Sequence, residues 1–139
     1  MSARTKARKR ALDVLFEAEQ RGVEPRTVYL RVANDATSPL NPYTEELVNG
    51  VMANLDRVDE LIATYAEGWT LDRMPAVDRN LLRIGIYEIM FAEDVPAKVA
   101  IDEAVGLAAE LSTDESPAFV NGLLGRVASL KPRISGATD

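Results

Sequence analysis

The chain is predicted to be all-α, a compact bundle of about six or seven helices around one central apolar helix, and three features predict it. In the stretch Met74–Phe91 (MPAVDRNLLRIGIYEIMF), Leu81, Leu82, Ile84, Ile86, Ile89, Met90 and Phe91 spread around the full circumference at about 100° per residue. A helix that is apolar all round has to be covered all round. Elsewhere apolar residues recur at spacings of three and four, and no segment alternates with the period of a β-strand. Proline and asparagine or serine followed by proline mark helix starts at several points.

The first helix is expected over Ala7–Glu19, with Ala11, Leu15 and Ala18 on one face, Leu12 and Phe16 beside them, and Gly22 as its stop. Pro25 opens a shorter second helix to about Val32, carrying Val28, Tyr29 and Val32. Asn34–Pro42 (NDATSPLNP) reads as a surface loop, too short to divide the chain into two domains. Asn41 before Pro42 is an N-cap with proline in the first turn. Tyr43, Leu47, Val48 and Val51 follow, and the periodicity continues through Leu55, Val58, Leu61, Ile62 and Tyr65. That length predicts one kinked helix or two joined end to end, with Asn54 available to cap a new start.

Thr70–Met74 (TLDRM) reads as a single turn leading into the central helix, whose first turn accommodates Pro75. Asp94-Val95-Pro96 ends that helix. Val99–Leu111 is amphipathic, with Ile101, Val105, Ala108 and Leu111 on one face. Ser116-Pro117 starts the last helix, striped by Phe119, Leu123, Val127 and Leu130, and a polar tail is expected from Pro132. There is no repeat at solenoid period. The domain expectation is a single unit over 1–139, with a flexible basic start at 1–6 and the polar tail at 132–139.

With 139 residues, 47% of them apolar, the chain is long enough to bury a core. It has no cysteine and no histidine, so thiol chemistry, thiolate metal sites and the commonest general base are missing. No DxDxDG run, Gly-rich phosphate loop or GxSxG is present, and no metal or cofactor is expected. An enzyme is the remotest reading. No apolar run approaches the roughly 18 residues of a membrane span, and the N-terminus lacks a signal-peptide core. The expected location is the cytoplasm, with no membrane partner.

The net charge of −6 hides an asymmetry. Arg4, Lys6, Arg8, Lys9 and Arg10 place five cations in the first ten residues, and 11 basic against 22 acidic residues remain. A basic end on an acidic body is the distribution of a nucleic-acid-binding arm, and equally of a solvated terminus. Cations in the first turns of a helix oppose its dipole, which favours a bound polyanion such as single-stranded RNA or DNA.

Within the central helix Arg83 and Glu88 are five apart and cannot pair with each other, while Arg79 and Arg83 form a like-charge pair at spacing four. Glu88 falls among Val77, Leu81 and Ile84 on a stripe expected to be buried. These charges are read as ties to neighbouring helices, with Arg83 and Glu88 offered to a partner as the alternative. Tyr65 and Trp69 continue an apolar stripe and are read as core, with base stacking as the alternative. Asn121, among apolar neighbours, is read as a buried, satisfied amide.

The elements LDR-x-PAVDR-x-LLRI-x-YE, DVP-x-KVAIDEAV-x-LA-x-EL and ES-x-x-FVNGLL resemble the transcription antitermination factor NusB family. The likeness is most specific from about Asn54 to Leu124, and the basic run RTKARKRALDVLFEAE fits the family in character. The resemblance implies a compact all-helical RNA-binding protein that pairs with ribosomal protein NusE. Together they would read boxA-type single-stranded RNA of ribosomal RNA operons and serve the RNA polymerase antitermination complex.

The family likeness implies RNA contact for Arg4, Lys6, Arg8, Lys9 and Arg10, and a position near the RNA path for Glu115, Ser116 and Phe119. Read from the residues alone, Ser116 caps the last helix and Phe119 is either core or a base contact. Asp78, expected at the exposed start of the central helix, matches a family position for NusE contact. Adaptors for ribosomal RNA folding and purely protein-binding scaffolds are the other readings. The sequence leaves monomer and homo-oligomer open.

Overall fold

The structure, a computed structural model, describes residues 2–136. Among the described residues there are seven α-helices and no strand. They are α1 (Ala3–Arg21), α2 (Pro25–Asp35), α3 (Pro42–Ala53), α4 (Leu55–Tyr65), α5 (Ala76–Phe91), α6 (Ala97–Leu111) and α7 (Ser116–Gly136). A 3-10 turn at Leu71–Arg73 occupies the stretch read as a single turn. The chain divides into two compact units, Met1–Leu55 and Asp56–Asp139.

In the first unit α1, α2 and α3 pack on one another around Ala7, Ala11, Leu15, Val28, Leu47, Val48 and Val51, each at most 4% exposed. The first helix starts at Ala3, four residues before the expected point. Ser2 accounts for this: its hydroxyl accepts the Thr5 N–H at 3.1 Å and caps the new end. The segment 3–6, expected to be a flexible basic start, therefore belongs to a helix; Met1 lies outside the described residues. Gly22, at φ 67°, closes α1 in the left-handed conformation that glycine adopts without penalty.

Ties between helices surround this core. The Thr44 hydroxyl donates to the Ala7 carbonyl at 3.2 Å. Arg31 on α2 donates to Glu17 on α1 at 2.7 Å, and the Arg31 and Arg21 guanidiniums hold the Glu17 carboxyl below the usual glutamate range. Arg26 pairs with Glu45. Helix α2 runs three residues beyond the expected end, leaving 36–41 as the loop. Asn41 caps α3 as expected, accepting the Tyr43 N–H at 2.9 Å. Asn54 closes α3 at φ −118°, its amide donating to the Gly50 carbonyl at 2.8 Å, so it ends one helix instead of starting the next.

In the second unit α5, α6 and α7 pack on one another. Ten of the sixteen residues of α5 are buried, which confirms a helix covered on nearly all sides. Phe91 is the exception, 40% exposed at its C-terminal end. Pro75 sits just outside α5 as its cap residue. At Gly85 a Cβ would lie 2.7 Å from Leu124 Cδ1, so the missing side chain sets how closely α7 approaches.

The half-buried Arg83 and Arg79 are tied intramolecularly. Arg83 grips Asp59 of α4 with two hydrogen bonds, Nε to Oδ1 at 2.8 Å and Nη2 to Oδ2 at 3.1 Å. Arg79 turns away and donates to the carbonyls of Leu71 (2.6 Å) and Met74 (3.0 Å), holding the 3-10 turn against α5. Glu88 is 1% exposed, on the stripe where it was expected. The polar tail predicted from Pro132 is helical to Gly136, because Ile134, 6% exposed, anchors the last turn. Residues 137–139 of that tail lie outside the described residues.

Candidate nucleic-acid interface

The five N-terminal cations do not form one patch. Their spacing on α1 sorts them onto different faces. Arg4 and Arg8, one turn apart, both lie over the ring of Tyr43 at the start of α3, at 4.1 and 5.5 Å from its centroid. Arg8 is 3% exposed, so it is part of the α1–α3 packing and corrects the expectation of an accessible phosphate contact. Arg4 remains exposed and Lys9 half-buried. Burial raises the pKa of Asp13, one turn beyond, against the opposing pull of Arg10 and Lys9.

Lys6 and Arg10, also one turn apart, are exposed. With Ala3 and Ala7 they form one wall of a concavity of about 330 Å³, whose other wall is the loop from Ala36 to Asn41. The lining contains two cations and several hydroxyl and amide groups but no carboxylate. In a chain with more acids than bases, an acid-free concavity of this kind favours an anion. Sequence reasoning passed over 36–41 as a plain connection. The pattern that marks its hydroxyls is Thr37-Ser38-Pro39, which gains meaning only once the loop is seen to face α1.

In the second unit the expected site residues Asp78, Glu115, Ser116 and Phe119 all line one cavity of about 80 Å³, but they differ in burial. Asp78 is 3% exposed, with its carboxylate accepting from Ser112 Oγ at 2.5 Å and from Ser116 Oγ at 2.9 Å. The expectation of an exposed Asp78 meeting NusE is corrected: the side chain is buried and joins α5 to the start of α7. Ser116 is 1% exposed and its single proton is given to Asp78, while its oxygen accepts the Thr113 N–H at 3.2 Å. Its hydroxyl thus braces the preceding turn. Glu115 is exposed, and its carbonyl accepts the Phe119 N–H at 3.2 Å.

Phe119 is half-buried. On one side lies that cavity of about 80 Å³, lined by Trp69, Pro75, Glu115 and Phe119 among others. On the other lies an open concavity of about 290 Å³ bounded by Tyr65, Ala118, Gly122 and Arg126. Trp69 is 47% exposed and meets the Phe119 ring at 6.3 Å and 56°, so the core reading of Trp69 is overturned. The chain turns at Gly68, φ 78°, immediately before it, and the tryptophan is held at the surface. Tyr65 is half-buried beneath Arg126, whose guanidinium lies 5.8 Å from the ring and pairs with Glu67. Asn121, read as buried, is exposed on α7. This surface offers ring faces, with the Glu115 and Glu67 carboxylates among its lining, and suits bases better than phosphates.

A sequence profile of the NusB family matches residues 5–129. The chain belongs to the NusB family. A transcription antitermination protein NusB from an Arthrobacter species is 57% identical over 135 residues, covering 96% of this chain and 98% of the relative. NusB from T. maritima superposes with a TM-score of 0.82 at 32% identity, covering 93% of this chain and 92% of that one. A structure of the antitermination factors NusB and NusE with double-stranded RNA gives 0.81 at 26% identity, covering 93% and 98%.

Family membership accords with the all-helical architecture. Among the described residues of this NusB-family chain no cluster of acidic side chains is arranged to hold a metal ion, and no helix is long and apolar enough to cross a membrane.

Proposed function

We propose that this NusB-family chain is an RNA-binding transcription antitermination factor that acts with ribosomal protein NusE. Its ligand is boxA-type single-stranded RNA of ribosomal RNA operons, and its setting is the RNA polymerase antitermination complex in the cytoplasm. It works as a non-enzymatic adaptor, and residues 1–139 act as one functional domain. The observation that carries the reading is a family match across 5–129 in a chain whose exposed cations Lys6 and Arg10 line an acid-free concavity. The aromatic pair Trp69–Phe119 supplies a second, base-directed surface.

Of the five N-terminal cations, Arg4, Lys6 and Arg10 are exposed. If these three meet phosphates of a single strand, log K falls with log salt at a slope of about −2. The test is fluorescence anisotropy of the purified protein with a boxA-like single strand, a scrambled strand and a duplex, each with and without NusE. Preference for the boxA-like strand, strengthened by NusE, is expected. Lys6→Ala with Arg10→Ala should flatten the slope by about 1.4 while leaving the fold intact. Wild-type affinity and slope in that double variant would demote α1 to a solvated helix. A terminator-readthrough assay then separates antitermination from RNA folding or ribosome assembly alone.

A further inference from the structure

Residues 36–41 do more than connect α2 to α3. Thr37 and Ser38 are exposed where the loop faces Lys6 and Arg10 across the 330 Å³ concavity. That volume is within the roughly 300–1,000 Å³ of small-molecule sites, enough for a phosphodiester with part of its sugar. The loop's far end is fixed on α1. The Asn41 amide donates to the Ala3 carbonyl at 3.5 Å, and the adjoining Thr44 donates to Ala7. Pro39 restricts the backbone beside Ser38.

We infer that the 36–41 loop is the second wall of a phosphate subsite, in which Thr37 and Ser38 donate to a phosphodiester held by Lys6 and Arg10. This rests on the RNA-binding reading and names residues of the loop that the reading does not need. Side chains one turn apart on a helix are about 5–6 Å apart at Cβ, a spacing at which two cations can bracket one tetrahedral anion. Neither the Lys6 nor the Arg10 side chain has a hydrogen bond or ion pair among the described residues, the pull of Arg10 on Asp13 being at longer range, and neither loop hydroxyl has one. Two cations and two hydroxyl donors face one space with no carboxylate to fill it. A multiply accepting, singly charged diester uses all four.

The test changes the loop and leaves α1 untouched. Ser38→Glu places an acid beside the phosphate, Ser38→Arg adds a cation, and Gln20→Glu puts the same acid on an exposed α1 position outside the concavity. Each is titrated with a labelled single-stranded RNA across a range of salt, with circular dichroism to verify folding. Ser38→Glu should weaken binding about fivefold or more. Ser38→Arg should tighten it and steepen the salt slope by about 0.7, one added phosphate contact. Gln20→Glu should stay within about twofold, since its charge is exposed and screened by salt.

Wild-type behaviour in both Ser38 variants overturns the subsite, and if Lys6→Ala with Arg10→Ala still weakens binding, the RNA reading survives without it. A wild-type protein that binds no RNA overturns both. Inorganic phosphate is the competing arm: displacement of RNA by phosphate at low ionic concentration would assign the concavity to a small anion and overturn the strand assignment.

Discussion

The Ser116 hydroxyl at the start of α7 donates to the buried carboxylate of Asp78 on α5 at 2.9 Å, and Ser112 donates to the other carboxylate oxygen. One side chain therefore satisfies two hydroxyls and sets where α7 begins. Asp78→Ala would take the charged acceptor from both hydroxyls and leave them each other and Thr113 as partners. The expected cost is about 2–4 kcal/mol, since each hydrogen bond to a charged group contributes roughly 1.5–3. Ser116→Ala should cost less, about 1–2 kcal/mol, because Asp78 keeps Ser112. Urea unfolding of the two variants and the double variant checks this. Additive effects would show that the pair does not couple.

Gly85 and Gly106 predict opposite signs for the same substitution. A Cβ on Gly85 would meet Leu124, which is fully buried and cannot swing into solvent. Overpacking of this kind costs about 1–3 kcal/mol, against up to about 1 gained in helix propensity. Gly106 lies exposed on α6 with nothing within 4 Å of the position. Gly85→Ala should lower the melting temperature, and Gly106→Ala should raise stability by about 0.5–1 kcal/mol. Thermal melts of the two variants side by side are the measurement.

Arg8 separates stability from binding. Its 3% exposure and its place over Tyr43 make it packing material for α1 and α3, through both its aliphatic stem and its charge. Arg8→Ala should cost about 1–3 kcal/mol of stability, a typical range for losing a buried, partnered side chain. Any loss of RNA affinity should then follow loss of fold. Arg10→Ala, exposed, should do the reverse. Chemical unfolding and RNA titration on both variants test the division.

Helix type and order were legible because periodicity is local. Met74–Phe91 could only be a covered helix, and the covering was found. Faces were less legible than elements. Five cations within ten residues read as one arm, yet the 100° step per residue turns Arg8 toward Tyr43 and Lys6 with Arg10 toward the loop. Asp78 read as an exposed helix start because its partners, Ser112 and Ser116, are more than thirty residues away. Trp69 read as core because it continued a stripe that Gly68 breaks. Such reversals depend on contacts distant in sequence, which spacing along one helix does not encode.

Trp69 is the only tryptophan of the chain, so its emission reports on one place. It is 47% exposed beside Phe119, with Glu115 lining the same cavity. A base stacking there would quench the fluorescence without bringing a phosphate close, since the Glu115 carboxylate in the lining repels one. Titration with the boxA-like strand should therefore quench Trp69. Trp69→Ala should weaken binding by the equivalent of about 1–3 kcal/mol, the usual contribution of one base on one ring. Its salt slope should match that of the wild type, because no phosphate contact is lost. Full binding with unchanged emission would confine the strand to the cationic surface of α1 and leave Trp69 and Phe119 without a role in holding RNA.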